Sequence, residues 1–406
     1  MKRVSRSTAG LLAALAFVLG GVLVYFNFYA IDDLLYRTLS GQQPDAIEMP
    51  PTIEEPAIIE GGTDFTAQRV FFGTDRKVAS DTEIGPVFGY DRAAALTLGY
   101  TDITIPTNAH KVGRIELPRN ITVFSVTLYQ EAEDPARHFT VHETAILEPD
   151  AFRAMAAEAA ANAEAYADTA LVFIHGFNTT FRAASFRTAQ LAYDLQFDGP
   201  TFLYSWPSVG ATQDYGADMD SAENAAPHID AFLDEVFRVE GVQKVHLIAH
   251  SMGNEALAEL FKRAGTKLEQ RTDKPIDQLI LAAPDLDADQ FRSIADRFTR
   301  FAKGVTLYAA STDLALLASK SLRKNYIRLG DVGDEGPTVV AGVDTIDVSA
   351  VGTEVFSLNH NIYARNRGVL DDLGRLLKTG ERPPSARMPT VRERQNSHGT
   401  YWQMPD

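Results

Sequence analysis

One stretch constrains the chain more than any other: Lys244-Val-His-Leu-Ile-Ala-His-Ser-Met-Gly-Asn-Glu-Ala-Leu-Ala-Glu-Leu-Phe261. The run Val245 to Ala249 predicts a buried strand, with His246 packed inside it. Leu257, Leu260, Phe261 and Ala264 then recur at helical spacing, and Gly265 ends the pattern. Between strand and helix stand His250-Ser251-Met252-Gly253. Five residues around a Ser can match by chance. A Ser at a sharp turn from strand to helix is more informative, because that geometry lifts its hydroxyl clear of the sheet.

The surrounding chain keeps the same rhythm. Leu171 to Ile174 predicts a buried strand ending in His175-Gly176-Phe177-Asn178, and a helix follows over Ala183 to Leu195. Thr201 to Tyr204 is the next strand, ending in Ser205-Trp206-Pro207-Ser208. Ile229, Phe232, Leu233, Val236 and Phe237 mark an amphipathic helix. Gln278 to Ala282 and Gly304 to Ala309 are further strands. Phe291, Ile294, Ala295 and Phe298 mark the helix between them, which Asp287 caps with Gln290 as capping-box partner. A last strand lies near Asp344 to Val351, and His360 comes after it. Strands alternating with helices imply a mostly parallel sheet covered on both faces, with ligands beyond the strands' carboxyl ends.

Upstream, Phe65 opens a β-rich part. Arg69 to Arg76, Ala95 to Tyr100, Thr101 to Pro106, Gly113 to Pro118 and Ile121 to Tyr129 are short β-like runs, and Phe152 to Ala167 is helical by propensity. We expect this part to complete the sheet. Residues 1–31 carry Lys2, Arg3 and Arg6 before an uncharged run, Ser7 to Ile31. As a helix, Ala9 to Ala30 would span roughly 33 Å, enough to cross a bilayer. The run exceeds a secretory h-region, no small-x-small site precedes Asp32, and Tyr25, Phe26, Phe28 and Tyr29 sit where an interfacial belt would be. An uncleaved single-pass anchor is preferred to a cleaved signal peptide. Either exports the folded part; the anchor places it on the periplasmic side of the inner membrane. Residues 32–63, acidic and Pro-bearing, read as a tether. Residues 64–380 are the folded domain, 64–149 being its β-rich part, and 381–406 an extended tail.

Composition narrows the chemistry. With no Cys there is no thiolate nucleophile, and a formal net charge of −16 argues against nucleic-acid binding. Walker, dinucleotide-glycine and His-Glu-x-x-His patterns are missing. No metal or organic cofactor is expected.

Six segments carry a resemblance: Phe72-Gly-Thr-Asp-Arg76, Phe173-Ile-His-Gly-Phe-Asn178, Ser205-Trp-Pro-Ser208, Ala249-His-Ser-Met-Gly253, Leu281-Ala-Ala-Pro-Asp285 and His360. Together they resemble the alpha/beta hydrolase superfamily over about Phe65 to Leu377, and within it an uncharacterised bacterial esterase/lipase-like family. The elbow departs once: its usual first Gly is Ala249, the smallest side chain available.

The residues supply their own chemistry. Ser251 needs an adjacent base to become nucleophilic. The N–H of Met252, at a helix start, and that of Phe177 are the expected oxyanion donors. His360 alone of nine His comes just after the last strand, so chain order makes it the base. His175 and His250 belong to the motif turns and are expected to orient loops. The acid is Asp313, two strands after the Ser strand, with Asp285 as the alternative and helix capping as the competing role for Asp313. Trp206, Pro207, Val209 and Asn178 are candidates for the substrate pocket. Gly210 to Asn224 is expected to be a solvated loop, with a lid or short helix as the alternative. The reading is a membrane-tethered carboxylic-ester hydrolase acting on a small-molecule or lipid ester. An acyltransferase or amidase on the same triad is the enzyme alternative. A non-catalytic envelope scaffold or lipid-binding protein is the other.

Overall fold

The computed structural model describes residues 64–123, 126–209, 214–263, 266–271, 276–311, 327–351 and 367–405. In chain order the elements begin with β1 (Thr66–Thr82), β2 (Gly85–Ile105), β3 (Asn120–Val123), β4 (Val126–Gln130) and β5 (Thr140–Leu147). Next come α1 (Pro149–Asn162), β6 (Thr169–Ile174), α2 (Phe181–Asp194), β7 (Thr201–Ser205), α3 (Tyr215–Asn224), α4 (Ala226–Phe237), β8 (Lys244–His250) and α5 (Gly253–Lys262). The remainder is β9 (Ile276–Ala282), α6 (Ala288–Phe301), β10 (Ala302–Ala309), β11 (Val332–Gly333), β12 (Gly336–Pro337), β13 (Val343–Asp347), α7 (Arg367–Thr379), α8 (Pro384–Arg387), β14 (Arg392–Asn396) and β15 (Gly399–Gln403).

Among the described residues one sheet of eleven strands runs in the order β14-β15-β13-β10-β9-β8-β6-β7-β1-β2-β5. Strands β15 through β1 in that order are mutually parallel; β14, β2 and β5 are antiparallel additions at the two sides. Side-chain alternation divides the core in two. Val172, Ile174, Leu247 and Ala249 face one hydrophobic cluster with residues of α1, α3, α4, α5 and α6. Leu171, Phe173 and Ile248 face the other, with residues of α2 and α7. Helices therefore cover both faces. Thr180 starts α2 by accepting from the N–H of Ala183, and Asp287 starts α6 by accepting from that of Gln290. The Gln290 side chain turns instead to Glu255.

The register aligns the strand ends. Gly73, Tyr204, Ile174, Ala249, Leu281, Leu307 and Thr345 are neighbours in one row across seven strands. Residues just past that row therefore gather at the same edge of the sheet.

Several expectations are corrected. Residues 381–406 are not an extended tail. The buried Arg387 pairs with Asp372, and β14–β15 form a hairpin whose second strand pairs with β13. Gly113 to Pro118 is not a strand, and the runs from Ala95 and Thr101 belong to the single strand β2. The solvated loop expected up to Asn224 contains α3, which buries Tyr215, Asp218, Met219 and Ala222. Residues 1–63, with the predicted anchor and tether, lie outside the described residues. Among the described residues no helix is long and apolar enough to cross a membrane.

Candidate active site

Ser251 lies two residues past Ala249 in the aligned row, at a backbone φ of 50°. That left-handed conformation costs a non-glycine residue on the order of 1–3 kcal/mol and must be held by its surroundings. The holds are visible. Its N–H donates to Ala282 O at 2.9 Å, and its carbonyl accepts from the N–H groups of Asn254 (3.1 Å) and Asp285 (3.2 Å). The Asn254 amide reaches back to Ala249 O at 2.9 Å and Ser251 O at 3.0 Å. Gly253 is required by proximity, since a Cβ there would stand 2.6 Å from His175 O and 2.9 Å from Ile174 O. Asn178 (φ 54°) and Ala283 (φ 43°) come after neighbouring strands of the same row. Three of the four described non-glycine residues with positive φ thus gather at one edge of the sheet. The fourth, Gln196, comes after α2.

Beside Ser251 runs the turn after β6. A Cβ on Gly176 would come within 2.8 Å of Ser251 Cβ and 2.9 Å of His250 Nδ1, so turn and elbow touch. Among the described residues the N–H groups of Phe177 and Met252 find no hydrogen-bond acceptor. Met252 is buried and Phe177 partly so, and unengaged backbone donors are uncommon in such places. His175 is buried; its Nδ1 bonds Gly176 O at 2.8 Å and its Nε2 meets Ser205 Oγ at 3.1 Å. Burial, helped by the Arg76 charge, holds its pKa well below the ordinary value, so the ring is neutral. The contacts fit Nδ1 as donor and Nε2 as acceptor. His250 is pushed down to about 3 by burial and then by Arg187, too weak a base to take a serine proton near neutrality. His246 lies in the core, lowered to about 4 chiefly by burial.

Trp206, a candidate for the substrate pocket, is 0% exposed and packs inside the protein. Its ring stacks on His175 at 4.9 Å and its Nε1 donates to His175 O at 2.8 Å. Pro207 is buried beside it, while Val209 and Asn178 are partly exposed. The segment Phe72-Gly-Thr-Asp-Arg76 carries no role by sequence alone; the structure supplies one. Arg76, 2% exposed, lies just past the aligned row in β1 and sends Nε to Ser205 Oγ (2.9 Å) and Nη2 to Thr179 O (2.7 Å). Asp218 of α3, which no motif marks as a site residue, accepts from the N–H groups of Val209 (2.6 Å) and Asn178 (3.3 Å). Burial raises its carboxyl above the ordinary range, against the pull of Ser208 and those N–H groups.

Asp285 is buried four residues beyond Leu281. Its Oδ2 accepts from Tyr215 Oη at 2.7 Å, and its Oδ1 lies 3.1 Å from Arg328 Nε. The latter is close enough for an ion pair, though not aligned as a hydrogen bond. That carboxylate anchors Arg328 and α3. Asp313 and His360 lie outside the described residues. Among the described residues no group of three His, Asp or Glu side chains could hold a metal ion.

Residues 154–378, which contain this strained serine and its His-Gly turn, match one family model. The chain belongs to the alpha/beta hydrolases of unknown function (DUF900). No curated protein matches it. The DUF900 match runs from within α1 to within α7, so β1 to β5, with Arg76, and the β14–β15 hairpin lie outside the matched residues.

Proposed function

We propose that the protein is a serine hydrolase of carboxylic esters. The observation that carries this reading is Ser251 at positive φ, beside N–H groups of Phe177 and Met252 that find no acceptor among the described residues. His360 takes the Ser251 proton as Oγ bonds to the acyl carbon, and Asp313 orients the ring and offsets its charge. The oxygen of the tetrahedral intermediate takes hydrogen bonds from Phe177 and Met252. His360 returns the proton to the departing alcohol as the ester C–O bond breaks. Water, deprotonated by the same His, then releases the acid from Ser251. His360 and Asp313 are assigned by chain order, since both come after the Ser strand in the sequence Ser…Asp…His. The N-terminal run would anchor this domain at the outer face of the inner membrane, giving it reach over lipid or small-molecule esters.

Labelling with a fluorophosphonate, with mass spectrometry of the adduct, tests the assignment. The adduct should map to Ser251, disappear in Ser251→Ala and fall steeply in His360→Ala. A folded wild-type protein that neither labels nor turns over an ester panel overturns it.

A further inference from the structure

Two buried side chains of opposite charge hold the same pair of turns, those at 175–179 and 205–209. Arg76 takes oxygens: Thr179 O at 2.7 Å, Ser205 Oγ at 2.9 Å and Ser208 O at 3.3 Å, with Gly89 O at 2.9 Å behind them. Asp218 takes hydrogens: the N–H of Val209 at 2.6 Å, the N–H of Asn178 at 3.3 Å and the hydroxyl of Ser208 at 2.5 Å. Ser208 Oγ also receives the N–H of Thr179 at 3.0 Å, which ties one turn to the other. Both charged residues are buried, Asp218 completely. A buried charge is costly unless its hydrogen bonds are complete, so such an arrangement holds one geometry strongly.

The grip falls on the backbone just after Phe177. Phe177 stands immediately before Asn178, whose φ of 54° is unfavourable without support. The carboxylate holds the N–H of Asn178, and the guanidinium holds the carbonyl of the next residue. Both grips act within two residues after Phe177, one on an N–H and one on a carbonyl, so the course of the turn that carries Phe177 is held from its C-terminal side. We propose that Arg76 and Asp218 are positioning residues for the oxyanion hole, fixing the Phe177 N–H toward the oxygen that becomes charged at Ser251. This rests on reading Phe177 as an oxyanion donor. It adds that the hole depends on β1 and α3, and that β1 lies outside the region matched to the family.

The test separates loop geometry from chemistry. Asp218→Asn keeps the shape but turns an amide toward backbone donors. Arg76→Lys keeps the charge but loses the fork. Saturable inactivation by a fluorophosphonate yields a maximal rate and an inhibitor constant. Hydrogen exchange by mass spectrometry reads residues 176–179 and 206–209. We expect the maximal rate to fall on the order of 10²-fold in Asp218→Asn, the loss typical of one oxyanion donor, with the inhibitor constant little changed. Exchange at 176–179 should accelerate in both variants. Arg387→Gln, which breaks a buried pair away from these turns, should lower the melting temperature and leave the maximal rate intact. If Asp218→Asn does not fold, Ser208→Ala removes the bridge alone and should show the same pattern at smaller size. Wild-type rate and exchange in the clamp variants overturn the proposal, as does an equal loss of rate in Arg387→Gln. If wild-type protein does not label, the proposed function falls. Exchange then decides the clamp by itself, and unchanged protection at 176–179 in Asp218→Asn overturns it.

Discussion

Arg76 and Arg387 are equally buried, at 2% exposure each, yet they are used differently. Arg387 sends Nε to Asp372 Oδ1 at 2.7 Å and Nη2 to Oδ2 at 3.3 Å, and Tyr308 Oη bonds the same carboxylate. Charge meets charge, and the segment after α7 is welded to the sheet. Arg76 directs donors at the carbonyls of Thr179 and Ser208 in loops beside Ser251. Its reach defines where those peptides point. One buried arginine secures a boundary of the fold, and the other shapes a site.

The largest expected effect lies on the boundary side. Arg387→Gln leaves the Asp372 carboxylate buried with one partner fewer, a change that typically costs about 3–5 kcal/mol. Urea unfolding should show that loss, while labelling per folded molecule stays at the wild-type level. A matching loss of labelling would erase the distinction between the two arginines. On the site side, Gly176→Ala places a methyl 2.8 Å from Ser251 Cβ and 3.0 Å from His250 O. The turn must shift away from the elbow. Labelling should slow on the order of 10²-fold, with stability changed by about 1–3 kcal/mol. Normal labelling in that variant would show that turn and elbow need not touch for the serine to react.

The two regions also differ in how well the sequence announces them. The strand-turn-helix at Ser251 is legible because apolar period and turn residues agree there, and the fold places Ser251 where that pattern implies. The β14–β15 hairpin is not. Its first strand, Arg392-Glu-Arg-Gln-Asn396, is mostly exposed at a sheet edge, where charge protects against unwanted pairing and hides the strand pattern. Helix α3 is obscured for a related reason. Tyr215, Asp218, Met219 and Ala222 form a helical stripe, but its second member is a carboxylate. Burial of Asp218 makes sense only once the N–H groups of Asn178 and Val209 converge on it, and no local pattern shows that. Trp206 misleads in the opposite direction, since a large aromatic after a strand suggests a pocket wall until its stacking on His175 is seen.

A third buried charge system sharpens the comparison because pH can switch it off. His110 Nδ1 lies 2.9 Å from Glu116 Oε2, and Nε2 lies 2.8 Å from Asp194 Oδ1 on α2. Burial alone would lower the imidazole, but the bonds to Asp194 and Glu116 reverse this and raise it to about 9. A pKa raised on folding above its ordinary 6.5 contributes stability that is complete below about pH 6.5 and lost as pH rises through 9. We expect a decline on the order of 2 kcal/mol across that window, partly screened by solvent, read as a falling urea midpoint. His110→Gln should flatten it. A midpoint equally steep in His110→Gln would place the titration elsewhere.

The smallest effect is expected at the centre of the site. Asn254 uses one amide group to hold Ala249 O and Ser251 O, the carbonyls on either side of His250. Neither bond carries full charge, so each contributes about 0.5–1.5 kcal/mol net. Asn254→Ala should therefore cost about 1–2 kcal/mol of stability, less than Arg387→Gln. Its effect on labelling should also stay below that of Gly176→Ala, because the N–H of Ser251 still donates to Ala282 O and helix α5 still starts at Gly253. Asn254→Asp is the sharper variant. It presents carboxylate oxygens to two carbonyls, so repulsion replaces attraction with almost no change in shape, and the elbow should loosen more than when the side chain is absent. Urea unfolding of both variants checks the order. If Asn254→Asp proves as stable as wild type, the side-chain amide does not hold the elbow, and the positive φ of Ser251 is maintained by backbone bonds, its N–H to Ala282 O and the N–H groups of Asn254 and Asp285 to its carbonyl.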